Sequence, residues 1–330
     1  MNKDKNNQVV LVIYGAGALG GACCVDRLEN TQLGQVDQVI LCNQTHLCHS
    51  VSFRSEDAQL ANMQGTYAGE AFTSKQLDDF LRSSCLKKSL EVCITVPPQA
   101  LDGAISFFLA RADLVAQSFA TASFNALSNG AISSNTLEGI KLLLQQQPQF
   151  AFYRSLVVAG FQKKVTAFSG GHCQLEVTHT SGRRVYWNRL CKSFAGKEHP
   201  FAGSLLFDAV QIEDIRKLEL QKVFANLVLG FGIQDRLLPN AALKGILRRE
   251  ESLELAEEFS AICPESGSAE GLQEFLWRTV EETHSNINSV SRAWAQKDDS
   301  LACYFKTFVF GRCTREAPCT KLRGFMQCLF

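Results

Sequence analysis

The 330-residue chain balances 33 Lys+Arg against 33 Asp+Glu, with 46% apolar and 20% charged residues. That is an ordinary globular composition, long enough for two domains, and its charge balance excludes the global field that recruits nucleic acid or an anionic membrane. No uninterrupted apolar run reaches the roughly 18–20 residues of a bilayer span, and the polar start MNKDKNNQ lacks the apolar core of a signal peptide, so a cytoplasmic protein is expected.

The first element is VVLVIYGAGALG, residues 9–20. Val9–Val12 run into Ile13 and Tyr14 as a buried parallel strand does. The chain then turns through Gly15, Ala16 and Gly17, and Gly20 opens GACCVDRLEN, which reads as a helix. This is G-x-G-x-x-G between a strand and a helix. The first Gly permits the tight turn, the second lets backbone approach a pyrophosphate, and the third allows close helix–strand packing. Phosphates would rest on the unpaired N–H groups of the helix start. A dinucleotide ligand is the expectation, held by Gly15, Ala16, Gly17, Ala18, Leu19 and Gly20.

Further along, QVDQVILCN predicts a second strand centred on Val39–Cys42, and LEVCITV (Leu90–Val96) a third, stopped by Pro97-Pro98. A helix follows from Ala100 to about Ala112. SFATASFNALSNG reads as another strand ending at Asn129-Gly130, and FAFYRSLVVAG with the pair CQLEVTHT and RRVYWNRL adds later β segments. Strands alternating with helices predict an open, doubly wound α/β sheet of the Rossmann type. Ligands of such sheets bind beyond the carboxyl ends of the strands, so Gly15–Gly20, Asn43, Val96–Gln99 and Asn129 are expected to converge. From about Gln211 the apolar residues take helical spacing (Ile215, Leu218, Val223, Leu227), and the rest reads all-α apart from a Pro/Gly break at Cys263–Gly267. The division expected is a dinucleotide-binding domain, 1–210, followed by a helical substrate domain, 211–330, with a substrate cleft where they meet.

Thirteen cysteines are scattered and odd in number. Neither Cys23-Cys24 nor Cys313, Cys319 and Cys328 has the spacing of a zinc site, so no metal is expected, and most thiols should be small buried hydrophobes. Where NAD-binding folds place an acid for the ribose 2′-OH, this chain has Cys42, Asn43, Gln44 and Thr45, which tilts the expectation toward NADP. Asn43, Gln44, Thr45 and His46 could donate to a 2′-phosphate, and Arg54 is the nearest cation. Lys222 and Asn226 stand four apart on one helix face, inside the apolar run Leu220–Phe231. By spacing alone, Lys222 is either a snorkelling lysine at a helix edge or a lysine turned toward substrate.

These motifs together resemble the ketopantoate reductase (2-dehydropantoate 2-reductase) family. GAGALG at 15–20 is the form of its Gly-rich turn, and LSNG at 127–130 resembles its N-G element. DIRKLELQKVFAN at 214–226 is similar to its W-x-K-x-x-x-N helix, LPNAAL at 238–243 to its P-N-G-x-L loop, and NINSV at 286–290 to its N-x-S-S segment. The five occur in the family's order. The resemblance implies NADPH-dependent reduction of a small 2-keto acid, 2-dehydropantoate to (R)-pantoate in pantothenate biosynthesis. It gives Lys222 as the general acid, Asn226, Asn240 and Ser289 as substrate residues, and Asn129 beside the nicotinamide, with Asn43 and Val96 completing the cofactor set. The partner implied is a small keto acid, with no nucleic acid or membrane, in a monomer or homodimer.

The departures concern substrate contacts. Leu301 stands where the family carries Glu, Cys303 where it carries Asp, and Lys306-Thr307 where it carries Asn-Gly, while Tyr304 is kept. Asp298 and Asp299 lie one helical turn upstream as candidate substitutes. Leu220 replaces the opening Trp, and VPPQ replaces V-K-A-x-Q. Besides the pantoate reaction, a divergent reductase of another keto acid and a nucleotide-binding regulatory protein without turnover are readings the sequence leaves open.

Overall fold

The computed structural model describes residues 8–30, 35–43, 47–55, 57–83, 88–168, 173–190, 200–233 and 237–327. Gln44, Thr45 and His46 lie outside them. The fold is mixed α/β. Its strands are β1 (Val9–Tyr14), β2 (Val36–Cys42), β3 (Cys48–Ser55), β4 (Gly65–Ala68), β5 (Glu70–Phe72), β6 (Ser89–Ile94), β7 (Thr121–Leu127), β8 (Phe150–Ala167), β9 (Cys173–Arg189) and β10 (Asp208–Gln211). They form one sheet of order β4-β3-β9-β8-β7-β6-β1-β2-β5, with β10 paired to β9. From β5 through β8 all neighbours are parallel, and the direction reverses at β8–β9.

The doubly wound expectation holds in the alternation of β1. Val10, Val12 and Tyr14 enter one apolar core, with α2 (Ser74–Ser83), α3 (Leu101–Leu109), α4 (Ala112–Ser118) and α5 (Ser134–Gln146). Leu11 and Ile13 enter the opposite one, with α1 (Ala18–Glu29). A strand covered on both faces reads as a continuous apolar run. Helix α1 is itself enclosed, every residue from Gly20 to Arg27 being buried, because β3, β8 and β9 pack over it. Its small residues follow: a Cβ on Gly21 would stand 2.6 Å from Val177 Cγ2 and 2.9 Å from Leu175 Cδ2. The buried charges of α1 are paired. Arg27 bonds Glu91 at 2.6 Å, and Asp26 accepts from Ser204 Oγ and from the N–H groups of Leu205 and Leu206 at 2.9–3.0 Å.

The described chain forms two compact units, Met1–Ser128 with Ile132–Glu213, and Asn129–Ala131 with Asp214–Phe330. The second is helical: α6 (Ile215–Ile233), α7 (Leu243–Ile246), α8 (Arg249–Ile262), α9 (Ala269–Glu282), α10 (Ser289–Ala295), α11 (Ser300–Phe310) and α12 (Thr320–Gln327). Helix α6 is its axis. It packs on α7, α9, α10, α11 and α12, and its buried residues occupy all sides rather than one stripe, the mark of a core helix.

Several boundaries differ from the sequence reading. Helix α1 starts at Ala18, two residues before Gly20, and β7 stops at Leu127 rather than Asn129-Gly130. The helix expected over 100–112 is α3 alone, with α4 a separate helix. CQLEVTHT and RRVYWNRL are one strand, β9. Its register with β8 shifts around Gly160, where Gly182 takes φ +65°, so the ladder continues through a bulge instead of turning.

Candidate active site

The turn after β1 is built by hydrogen bonds that glycine alone allows. Gly15 has φ +96°, and a Cβ there would meet Val96 N and Val96 Cγ1 at 2.9 Å. Its N–H and that of Ala16 donate to the Cys42 carbonyl at 2.9 and 3.2 Å. Thr95 Oγ1 donates to the Gly15 carbonyl at 2.8 Å, and Asn43 Nδ2 donates to the Ala16 carbonyl at 3.1 Å. The turn, Cys42, Asn43, Thr95 and Val96 are thus brought together, with Asn43 bracing the turn. Gly20 is locked between layers, since a Cβ would stand 2.6 Å from Thr95 Oγ1 and 2.8 Å from both Gly15 O and Ile13 Cγ2. Gly17 is different in kind: a Cβ there meets nothing nearer than Gly15 O at 3.8 Å. As the N-cap of α1 it supplies no side-chain cap, and the first turn carries no acid. The result is open space beside Gly17 at the positive end of a helix, the setting in which phosphate is held. Arg54 bonds Thr178 Oγ1 on an exposed face of β3.

In the helical unit, Lys222 is 5% exposed and makes no hydrogen bond or ion pair with the described residues. Burial pulls its ammonium from 10.5 down to about 8, partly opposed by the charge of Glu282. Desolvation disfavours the charged form, and here it outweighs a carboxylate held too far off to pair. Of the two readings by spacing, the snorkelling one is ruled out, because α6 offers no solvent edge at this position. Asn226, one turn on, is half-buried. Asn240 is 4% exposed. Its Nδ2 donates to Thr283 Oγ1 at 2.7 Å, while its Oδ1 is buried without a partner among the described residues. Asn129 Oδ1 is orphaned in the same way. Buried acceptors in native folds are nearly always satisfied, so these two amide oxygens stand out, as do the hydroxyls of Ser266 and Tyr153, which are also buried without a partner among the described residues. Ser289 is exposed at the start of α10; the cap of that helix is Asn288, whose Oδ1 accepts from Ser291 N and whose Nδ2 reaches the Leu229 carbonyl on α6.

No family model matches this sequence, and no curated protein is similar to it in sequence. Solved structures are similar in fold. A 2-dehydropantoate 2-reductase from Methylococcus capsulatus superposes with TM-score 0.57 at 13% identity, covering 97% of this chain and 95% of that one. A dimeric ketopantoate reductase from Staphylococcus aureus gives 0.55 at 13% identity over 97% and 99%. A ternary structure of D-mandelate dehydrogenase with NADH and anilino(oxo)acetate gives 0.56 at 12% over 97% of both. The chain has the ketopantoate reductase fold.

Within that fold the departures noted in the sequence acquire structural reasons. Leu301 is 6% exposed and belongs to the apolar core around α6, so the first turn of α11 presents hydrocarbon there. Of the nearby acids, Asp298 Oδ1 accepts from Ser300 N at 2.9 Å, and Asp299 is the N-cap residue of α11, with no side-chain cap hydrogen bond. Tyr304, the retained residue, accepts the Ala131 N–H at 3.1 Å, which ties the segment after Asn129 to α11. Two contributors carry no motif signal. Arg154, 1% exposed, donates to the carbonyls of Ala126 and Ser128 at 2.8 Å and shapes the end of β7. Thr283 holds the Asn240 amide across 43 residues of sequence. Among the described residues no His, Cys, Asp or Glu group is arranged to hold a metal, and no helix is long and apolar enough to cross a membrane.

Proposed function

We propose that this chain is an NADPH-dependent oxidoreductase reducing a small 2-keto acid, with 2-dehydropantoate as substrate and (R)-pantoate as product. The observation that carries the reading is the buried Lys222, its proton held with a pKa of about 8. A reducing site needs a group that is protonated near neutral pH yet gives its proton up readily. The other function for a lysine here, a structural ion pair, has no partner in its favour.

The open space beside Gly17, where a Cβ would meet nothing nearer than Gly15 O at 3.8 Å, supports a dinucleotide at the Gly15–Gly20 turn, whose pyrophosphate the first N–H groups of α1 would hold. Ala16, Ala18, Leu19, Asn43 and Val96 complete that set, on residues 1–210. Cys42 and Asn43 close β2 without a carboxylate, which supports NADP over NAD. When bound, the reduced nicotinamide supplies the hydride. Lys222, on residues 211–330, stabilises the charge that develops on the keto oxygen and delivers a proton to it, electrostatic and general-acid catalysis by one group. Asn226, Asn240 and Ser289 would orient the acid, and Asn129 would lie beside the nicotinamide. We place the enzyme in the cytoplasm as a homodimer, as the similar Staphylococcus aureus reductase is dimeric.

A second reading, another 2-keto acid as the substrate, is favoured by Leu301. A site that has exchanged a carboxylate for hydrocarbon loses selection for the substrate hydroxyl that acid would bind. NADPH oxidation by the purified protein, with 2-dehydropantoate beside a panel of 2-keto acids, tests both. Turnover of 2-dehydropantoate supports the first reading and turnover of another acid alone supports the second. NADPH binding without turnover of any acid would sink both and leave a regulatory protein.

A further inference from the structure

We infer that Thr283 is a positioning residue that decides which atom of Asn240 meets the substrate; the inference rests on Asn240 being a substrate residue. Thr283 Oγ1 lies 2.6 Å from the Thr279 carbonyl oxygen. Two oxygens that close share a proton, and only the hydroxyl has one, so Thr283 donates to Thr279. Its lone pairs then remain for the Asn240 side chain at 2.7 Å. An amide oxygen turned toward them would meet no hydrogen, so the amide must point its NH2 at Thr283. Oδ1 is thereby turned away, buried and without a described partner.

The main chain that carries the amide is held as well. Asn240 N–H donates to the Asn286 carbonyl at 2.7 Å and Ala241 N–H to the His284 carbonyl at 3.1 Å, which pins the turn on both sides. Asn240 and Thr283 are 4% and 7% exposed, so water does not compete for the choice. What remains is a side chain that offers an acceptor and no donor. Such a group recognises an O–H or N–H of the ligand and turns away a carboxylate oxygen. With Leu301 in the core, Asn240 Oδ1 takes over recognition of a donor on the keto acid, and Thr283 keeps it aimed. The substrate class follows: a 2-keto acid that also carries a hydroxyl or an N–H.

The test compares wild type with Thr283→Val, which keeps the shape and removes the hydroxyl, and with Thr283→Ser, which keeps the hydroxyl. The substrates are 2-dehydropantoate and trimethylpyruvate, the same acid without its hydroxyl. Wild type should prefer the hydroxyl-bearing acid. Thr283→Val should lose that preference by about tenfold, the worth of one hydrogen bond, through KM, with kcat changed less than about twofold, and Thr283→Ser should restore it. An unchanged preference in Thr283→Val, or a loss that Thr283→Ser does not restore, would overturn the inference. If neither acid is turned over, the proposed function fails on its own, and NMR of the Asn240 side-chain NH2 decides the positioning role. Exchange with water that is slow in wild type and Thr283→Ser but fast in Thr283→Val supports it; slow exchange in all three overturns it.

Discussion

Replacing Lys222 by Met should remove activity and make the helical unit more stable. The side chain is 5% exposed and burial lowers its pKa from 10.5 to about 8. At about 1.4 kcal/mol per pKa unit, carrying the charge in the folded state costs about 3 kcal/mol. The sign follows from the two titrations. Below pH 8 the lysine is charged folded and unfolded, and the full cost is present. Between about 8 and 10.5 the unfolded chain binds the proton and the folded one does not, so stability rises with pH. Above 10.5 both forms are neutral and the cost has vanished. Met is close to Lys in length, flexible, and carries no charge to desolvate. Lys222→Met should therefore gain about 3 kcal/mol at pH 6.5 and only a few tenths near pH 10.5. Urea unfolding of the pair, read by Trp277 and Trp294 with Trp187 replaced by Phe, would report it as a midpoint raised by about 1 M at the lower pH. A destabilised Lys222→Met, or the same midpoint shift at both pH values, would refute the depressed lysine.

Other expectations are independent of that one. The kcat/KM of the wild-type protein should be level below pH 8 and fall as the pH rises through it, since the acid is then lost from the free enzyme; a fall on the acid side alone would exclude Lys222 as the proton donor. Gly17→Val should leave thermal unfolding unchanged, because its Cβ meets only Gly15 O at 3.8 Å, yet abolish NADPH binding in a fluorescence titration. Gly20→Ala should do the reverse in kind, costing about 1–3 kcal/mol through overpacking against Thr95, Ile13 and Gly15, as measured by denaturation without cofactor. Tyr304→Phe removes the acceptor for Ala131 N–H and should cost about 1 kcal/mol while lowering kcat; unaltered kcat would separate the Asn129 segment from the chemistry.

What the sequence made legible, and what it did not, has a common physical explanation. Strand β1 and the Gly-rich turn were readable because their constraints are local: a strand buried on both faces, then a positive φ at Gly15. Strand β3, CHSVSFRS, was missed because five of its eight residues are polar and its place is fixed by pairing with β9, far along the chain. The two β segments CQLEVTHT and RRVYWNRL are one strand because Gly182, at positive φ, continues the ladder through a bulge, which only the register against Gly160 shows. Asn240 after Pro239 carries ordinary turn chemistry, and nothing nearby marks it as buried. Its environment comes from Thr283 and Asn286, on the far side of α8 and α9. Lys222 was ambiguous because spacing describes a helix with two faces, whereas α6 is buried on all sides around this position.

The Gly-rich turn and the residues around Lys222, Asn129 and Asn240 also depart from good packing in different ways. At the Gly-rich turn of the α/β unit the departures are of backbone: Gly15 at positive φ, Gly20 with no room for a methyl group, Gly17 with open space beside it. These carry no titratable group, so they can shape a binding surface but cannot move a proton. In the helical unit the departures are of side chains: a cation without a partner at Lys222 and acceptors without donors at Asn129 and Asn240. Each costs folding free energy, the unpaired lysine most, and none improves the packing of α6 or α9. A chain under no demand but folding gains by replacing all three with hydrocarbon, as position 301 shows this core accepts. The three positions are therefore where the proposed reductase would show its demand, and Leu301, already hydrocarbon, is where the proposed substrate contact would have changed.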